Sequence, residues 1–89
     1  TLLRKSEGHV ILDVNGVGYG LDVPLTAQAV LSGTGETAEL WVHTYVQEAV
    51  LRLYGFPTEQ EKELFEVFLG AQGIGPRTAL GILSSTTPD

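Results

Sequence analysis

His9-Val10-Ile11-Leu12-Asp13-Val14-Asn15-Gly16-Val17-Gly18-Tyr19-Gly20-Leu21-Asp22-Val23 decides the fold of the first half of the chain. Asn15-Gly16 separates two apolar-rich runs. A two-residue type I′ turn needs φ > 0 at both central positions, which Asn and Gly tolerate best. His9 to Val14 therefore reads as one strand and Gly18 to Val23 as the returning one, closed by Pro24. The run Gly16-Val17-Gly18-Tyr19-Gly20 mimics a dinucleotide fingerprint, but its spacing is wrong and no helix follows.

Outward from this hairpin the pattern stays β. Leu2-Leu3-Arg4-Lys5 is a short strand, Thr26 to Leu31 a short helical turn, and Ser32-Gly33-Thr34-Gly35 a loop. Ala38 to Val46 alternates, with Leu40, Val42, Thr44 and Val46 on one face and Trp41, His43 and Tyr45 on the other. Glu48-Ala49 sits near a turn, and Val50 to Tyr54 returns as a strand. Five short strands with tight connections predict a small barrel, of which the OB-fold is the commonest five-stranded case.

The period changes at Gly55-Phe56-Pro57. Thr58-Glu59-Gln60-Glu61 has the form of a capping box, in which the Thr hydroxyl accepts from the Glu61 N–H and the Glu61 carboxylate reaches back. Glu59, Glu61 and Glu63 suit the positive end of a helix. Leu64, Phe65, Phe68 and Leu69 are its expected buried stripe. Gly70 to Gly75 ends this helix, and Pro76 is a natural first residue of the next one, with Ala79, Leu80, Ile82 and Leu83 as the apolar face. The predicted class is α+β, mostly β and then α. A five-stranded OB-fold barrel occupies residues 1–57, and a helix-hairpin-helix segment occupies residues 58–89. Thr87-Pro88-Asp89 has the form of a helix start, and Thr1 enters a strand without a methionine, so both ends read as cuts in a longer chain.

The bulk composition narrows the function classes. The chain has 89 residues, of which 43% are hydrophobic and 18% charged, and it has no cysteine. Disulfides and thiolate metal sites are therefore excluded. His9 and His43 both lie in strand-like runs, so no metal site is expected. No apolar run approaches a bilayer span, and no signal-peptide pattern is present, so a cytoplasmic setting is expected. Net charge is −6. Residues 1–57 hold three basic and six acidic residues, and residues 58–89 hold two basic and five acidic ones. Neither half supplies the basic footprint usual for nucleic-acid binding.

Gln72-Gly73-Ile74-Gly75-Pro76-Arg77-Thr78-Ala79-Leu80-Gly81 nevertheless points to an anion site. A Gly-apolar-Gly turn feeding a helix aims backbone N–H groups outward at the positive end of the helix dipole. Taken alone it reads equally as a Schellman-type stop between two packed helices. With a capped helix before it and Pro76 and Arg77 after it, it matches a helix-hairpin-helix. Such a motif grips DNA backbone without reading bases. The candidate contacts are Gly73, Ile74, Gly75, Arg77 and Thr78, with Ile74 as the core anchor. No nucleophile–base arrangement and no P-loop lysine accompany them, so no catalysis and no cofactor are expected.

These motifs together resemble one family. Asp13-Val14-Asn15-Gly16-Val17-Gly18-Tyr19, Leu53-Tyr54-Gly55-Phe56, Glu63-Leu64-Phe65, Gly73-Ile74-Gly75-Pro76-Arg77 and Ala79-Leu80-Gly81-Ile82-Leu83-Ser84 follow one another as in the RuvA family. Its members are Holliday-junction-binding subunits of the bacterial branch migration complex. The resemblance runs over essentially the whole chain. It implies an OB-like barrel, then a helical domain with two helix-hairpin-helix motifs. Only the first motif lies here, and a few residues of the first strand would precede Thr1. It also implies a homotetramer or octamer that holds four-way junction DNA open. The partner RuvB hydrolyses ATP and engages a C-terminal domain beyond Asp89. Family members carry an acidic pin of two adjacent carboxylates at a strand turn. Glu48 matches the first, but Ala49 stands at the second and Gln47 where a basic residue often precedes them, which implies a weakened pin. The rival expectations are a protein-interaction barrel with a purely structural helical hairpin, favoured by the net acidity, and a DNA-processing enzyme whose catalytic part lies elsewhere.

Overall fold

The computed structural model describes residues 1–85 apart from 32, 48 and 72, with residue 85 described through its backbone alone. Asn15 and Gly16 take φ values of 53° and 86°, and so form the two-residue turn that the Asn-Gly pair demands. The strands on either side of it are the middle of a meander. β1 (Leu2–Ser6) pairs antiparallel with β2 (His9–Val14), which pairs antiparallel with β3 (Val17–Asp22). α1 (Leu25–Val30) follows Pro24. β4 (Trp41–Gln47) and β5 (Val50–Phe56) form a second antiparallel hairpin. β5 joins β3 in parallel at Asp22 and Tyr54, giving the sheet order β1-β2-β3-β5-β4. α2 (Glu59–Leu69) and α3 (Pro76–Ser85) complete a mixed α+β fold.

Among the described residues no ladder joins β4 back to β1. The loop ahead of β4 lies against β1 instead. The Leu2 N–H donates to the Glu36 carbonyl at 2.9 Å, and the Gly35 N–H donates to the Leu2 carbonyl at 2.7 Å. Those bonds satisfy Leu2 at the sheet margin and bury its side chain completely.

Two apolar clusters hold these layers. The first lies on the sheet and contains Leu2, Val10, Leu12, Leu21 and Val23, with Ala27 of α1 and Leu31 just after it. The second contains Tyr54 and Phe56 of β5, Phe65 of α2, and Ala79 and Leu83 of α3. Phe65 is its hub. Its ring lies 4.8 Å from Phe56, 5.1 Å from Tyr54 and 5.5 Å from His43, centroid to centroid. Full burial of one such ring is worth about 1.5–3 kcal/mol. This cluster explains why β5 runs to Phe56 rather than stopping at Tyr54. Phe56 pairs with Trp41 and is fully buried against Phe65.

Thr58 caps α2 as expected, its hydroxyl accepting from the Glu61 N–H at 3.2 Å. The reciprocal half of the capping box is different. The Glu61 carboxylate accepts from the Thr26 hydroxyl of α1 at 2.6 Å, and Glu61 is buried at 6% exposure. It ties two helices together instead of closing its own turn. Leu64, expected in the buried stripe, is 41% exposed. The inward face of α2 runs through Glu61, Phe65 and the half-buried Phe68 and Leu69. Leu64 precedes that line by one residue and is turned off it.

Candidate nucleic-acid interface

The turn between α2 and α3 is built by backbone bonds. The Gly70 N–H closes α2 on the Glu66 carbonyl at 3.1 Å, and the Ala71 N–H donates to Phe68 at 3.0 Å. The chain then reverses at Gly73, whose φ of 82° suits glycine. Ile74 packs on the second cluster, as an anchor should. Its N–H donates inward to the Ala71 carbonyl at 3.3 Å. Of the backbone donors expected for an anion, this one is therefore engaged within the turn itself. Gly75 accepts from Ala79 at 3.0 Å and so precedes the first turn of α3. Pro76 follows without an N–H to satisfy.

Among the described residues, the N–H groups of Gly73, Gly75, Arg77 and Thr78 have no acceptor. A side chain at Gly73 or Gly75 would meet nothing within 4 Å, so the space over both is open. Arg77 and Thr78 are exposed, and Arg77 makes no ion pair among the described residues. The turn thus offers unpaired donors, the start of a ten-residue helix and one cation. That set suits an oxyanion.

The head of α3, just after the turn, lines a cleft of about 850 Å³ between α3 and the sheet. Pro76, Arg77, Leu80 and Ser84 form one wall, and Tyr45, Gln47, Val50, Arg52 and Tyr54 the other. The second wall is one face of the β4–β5 hairpin. Tyr45 pairs with Arg52, and Gln47 pairs with Val50. The cleft therefore runs from the start of α3 to the hairpin end where Gln47 and Val50 lie. Glu48, the expected acidic pin, lies outside the described residues, as does Gln72.

Sequence reasoning placed Arg77 but not Arg52. The signal was strand alternation, which puts Val50, Arg52 and Tyr54 on one face. Arg52 meets Asp22 of β3 at 3.4 Å. Burial raises the Tyr54 phenol above its ordinary value, and Asp22 adds to this, while Arg52 and Arg77 pull it down. Both guanidinium groups thus act on the same hydroxyl. Glu66 bonds His43 at 2.8 Å and Lys62 at 2.9 Å. Glu59 and Glu63 are exposed. Among the described residues no three His, Asp or Glu side chains converge as metal ligands would, and no helix is long and apolar enough to cross a membrane.

The family model for the RuvA N terminal domain matches residues 1–55. The chain is 47% identical over 87 residues to the Holliday junction branch migration complex subunit RuvA of Geobacter sp. (strain M21), covering 98% of this chain and 44% of that protein. It is 54% identical over 84 residues to the protein of the same name from Halothermothrix orenii, covering 94% of this chain and 42% of the relative. The counterpart in Herpetosiphon aurantiacus is 43% identical over 83 residues, covering 93% and 42%. The chain thus spans less than half the length of these relatives. With one domain model matched over most of its strands and relatives aligned through both helices of the turn, the chain belongs to the RuvA family.

Proposed function

We propose that this chain binds four-way (Holliday) junction DNA through its backbone, structure-specifically and without reading sequence, as the scaffold subunit of a branch migration complex. The observation that carries this reading is the open Gly73–Gly75 turn, with its unpaired N–H groups at the head of α3 and Arg77 beside them. The names of the relatives support the same role. Gly73, Gly75, Arg77 and Thr78 hold phosphate oxygens, and Ile74 anchors the turn from beneath. Residues 1–57 act as an OB-fold barrel and residues 58–85 as the first helix-hairpin-helix, although Tyr54 and Phe56 join the two in one core. Glu48 is the remaining acid of the pin. Carboxylates there repel phosphates that stray toward the junction centre, by about 1 kcal/mol at ~4 Å in bulk water and more where shielded.

The chain itself hydrolyses nothing in this reading. ATP hydrolysis belongs to the partner motor RuvB, and the setting is the bacterial cytoplasm. One turn of this kind binds weakly, at roughly 10⁻⁴ to 10⁻⁶ M as for non-specific contacts. A homotetramer or octamer multiplies such contacts into avidity. The exposed apolar residues of the β4–β5 hairpin, with Val46 and Leu51 each at 66%, support self-association. The test is electrophoretic mobility of the chain with a four-way junction and with linear duplex at matched salt. The reading requires preferential retardation of the junction. Equal retardation of both, or of neither, overturns it.

A further inference from the structure

We propose that Arg52 of β5 is a second phosphate-binding residue, gripping from the sheet side of the cleft the same DNA strand that Arg77 and the turn hold from the helix side. This inference rests on the DNA-binding reading above and adds a second wall to the site.

The geometry carries it. Arg52 and Arg77 line one cleft of about 850 Å³, from opposite sides. Its remaining surface near them is the apolar edge of Pro76 and Leu80 and the ring of Tyr45. Such a surface accepts the ribose side of a backbone while the two guanidinium groups take phosphate oxygens. Arginine suits this because its planar fork makes two parallel N–H bonds to a phosphate.

Asp22 now occupies that fork. Its carboxylate meets one terminal nitrogen of Arg52 at 3.4 Å, while the Arg52 side chain stays 52% exposed. A single long contact at this exposure is a weak ion pair, so a phosphate can replace it at little cost. Asp22 acts as a resident substitute, holding the guanidinium over the cleft when no strand is present. Among the described residues the other carboxylate lining the cleft is Glu7, in the turn between β1 and β2, and it repels phosphate as Asp22 does. The approach of DNA therefore depends on Arg52 being satisfied by phosphate rather than by Asp22.

Fluorescence anisotropy of the full 89-residue chain with a labelled four-way junction, titrated with NaCl, tests the proposal. Far-UV circular dichroism first establishes that each variant is folded. Arg52→Gln is expected to weaken binding roughly fivefold at low salt and to lower the slope of log K against log salt by about one. Asp22→Asn is expected to tighten binding when Arg52 is present and to do so less in the Arg52→Gln background. If Arg77→Gln weakens binding while Arg52→Gln does not, the second wall is wrong and the turn still stands. An equal gain from Asp22→Asn in both backgrounds means bulk charge alone, and also overturns the role of Arg52. A wild-type chain with no affinity for the junction sinks the underlying reading, and this inference with it.

Discussion

The Thr26 hydroxyl donates to the Glu61 carboxylate at 2.6 Å, joining α1 to the first turn of α2 inside the fold. Glu61 has only 6% exposure, and its own N–H is held by Thr58. A buried carboxylate that loses its donor keeps the full cost of desolvation. Thr26→Val is therefore expected to destabilise the chain by about 1–3 kcal/mol, whereas Thr58→Ala costs about 1 kcal/mol through the lost cap. Urea unfolding followed by circular dichroism measures both. A cost for Thr26→Val below that of Thr58→Ala would show that Glu61 finds another partner.

Phe65 touches the rings of Tyr54 and Phe56 and is fully buried. Phe65→Ala is expected to cost about 3–5 kcal/mol, the range for deleting a buried aromatic ring. Because that ring binds β5 to both α2 and α3, loss of sheet and helix signals should coincide in the same denaturant melt. Separate transitions would mean that the helices unfold independently of the sheet.

Glu66 gives a pH signature. The hydrogen bond from His43 and then that from Lys62 hold its carboxyl below the ordinary value of 4.5. A folded-state value below the unfolded one contributes stability above the unfolded value, and this is lost as pH falls through the folded one. The side chain is 37% exposed, so screening keeps the contribution under about 1 kcal/mol. The stability difference between wild type and Glu66→Gln should be present at pH 6 and vanish as pH drops below 4.5. Thermal melts across that window measure it, and a difference that persists unchanged at the acid end contradicts the assignment.

Arg77→Glu replaces the cation beside the turn with a like charge to phosphate. Junction affinity should fall and its salt dependence should flatten, as a lost phosphate contact requires. Gly73→Ala should act differently. It strains a backbone at φ 82° and costs about 1–2 kcal/mol of stability, with the salt slope preserved. Binding isotherms at several salt concentrations separate the two effects, and unchanged binding by Arg77→Glu removes Arg77 from the site.

What could be read from the residues was local. Asn15-Gly16 announced its turn because only a few residue types tolerate positive φ there, and Thr58 announced its cap because the acceptor is three residues from its donor. Alternation placed His43 and Tyr45 on the face that meets the helices. Long-range partners were not legible. Glu61 looked like a self-contained capping residue, but its carboxylate accepts from Thr26 on a helix far earlier in the chain. Nothing local announces that Glu66 meets His43, which β4 brings beside it. Arg52 drew no notice because a lone arginine on a strand means little until α3 supplies the facing wall. Ile74 was read correctly as an anchor, but the inward bond of its N–H depends on where Ala71 points after α2 ends.

The stacking of Phe65 on Tyr54 and Phe56 has a mechanical result. Tyr54 lines the cleft, Phe56 and Phe65 pack with it and with Ala79 and Leu83 of α3, and close-packed aromatic contacts do not deform gradually. The spacing of β5 and α3, which carry the two arginines, is thus set by this packing. A strand that enters gains its contacts without waiting for the protein to rearrange, so little ordering entropy opposes it. On the proposed DNA-binding reading the molecule is a calliper for backbone paths, with its jaw width written in the core.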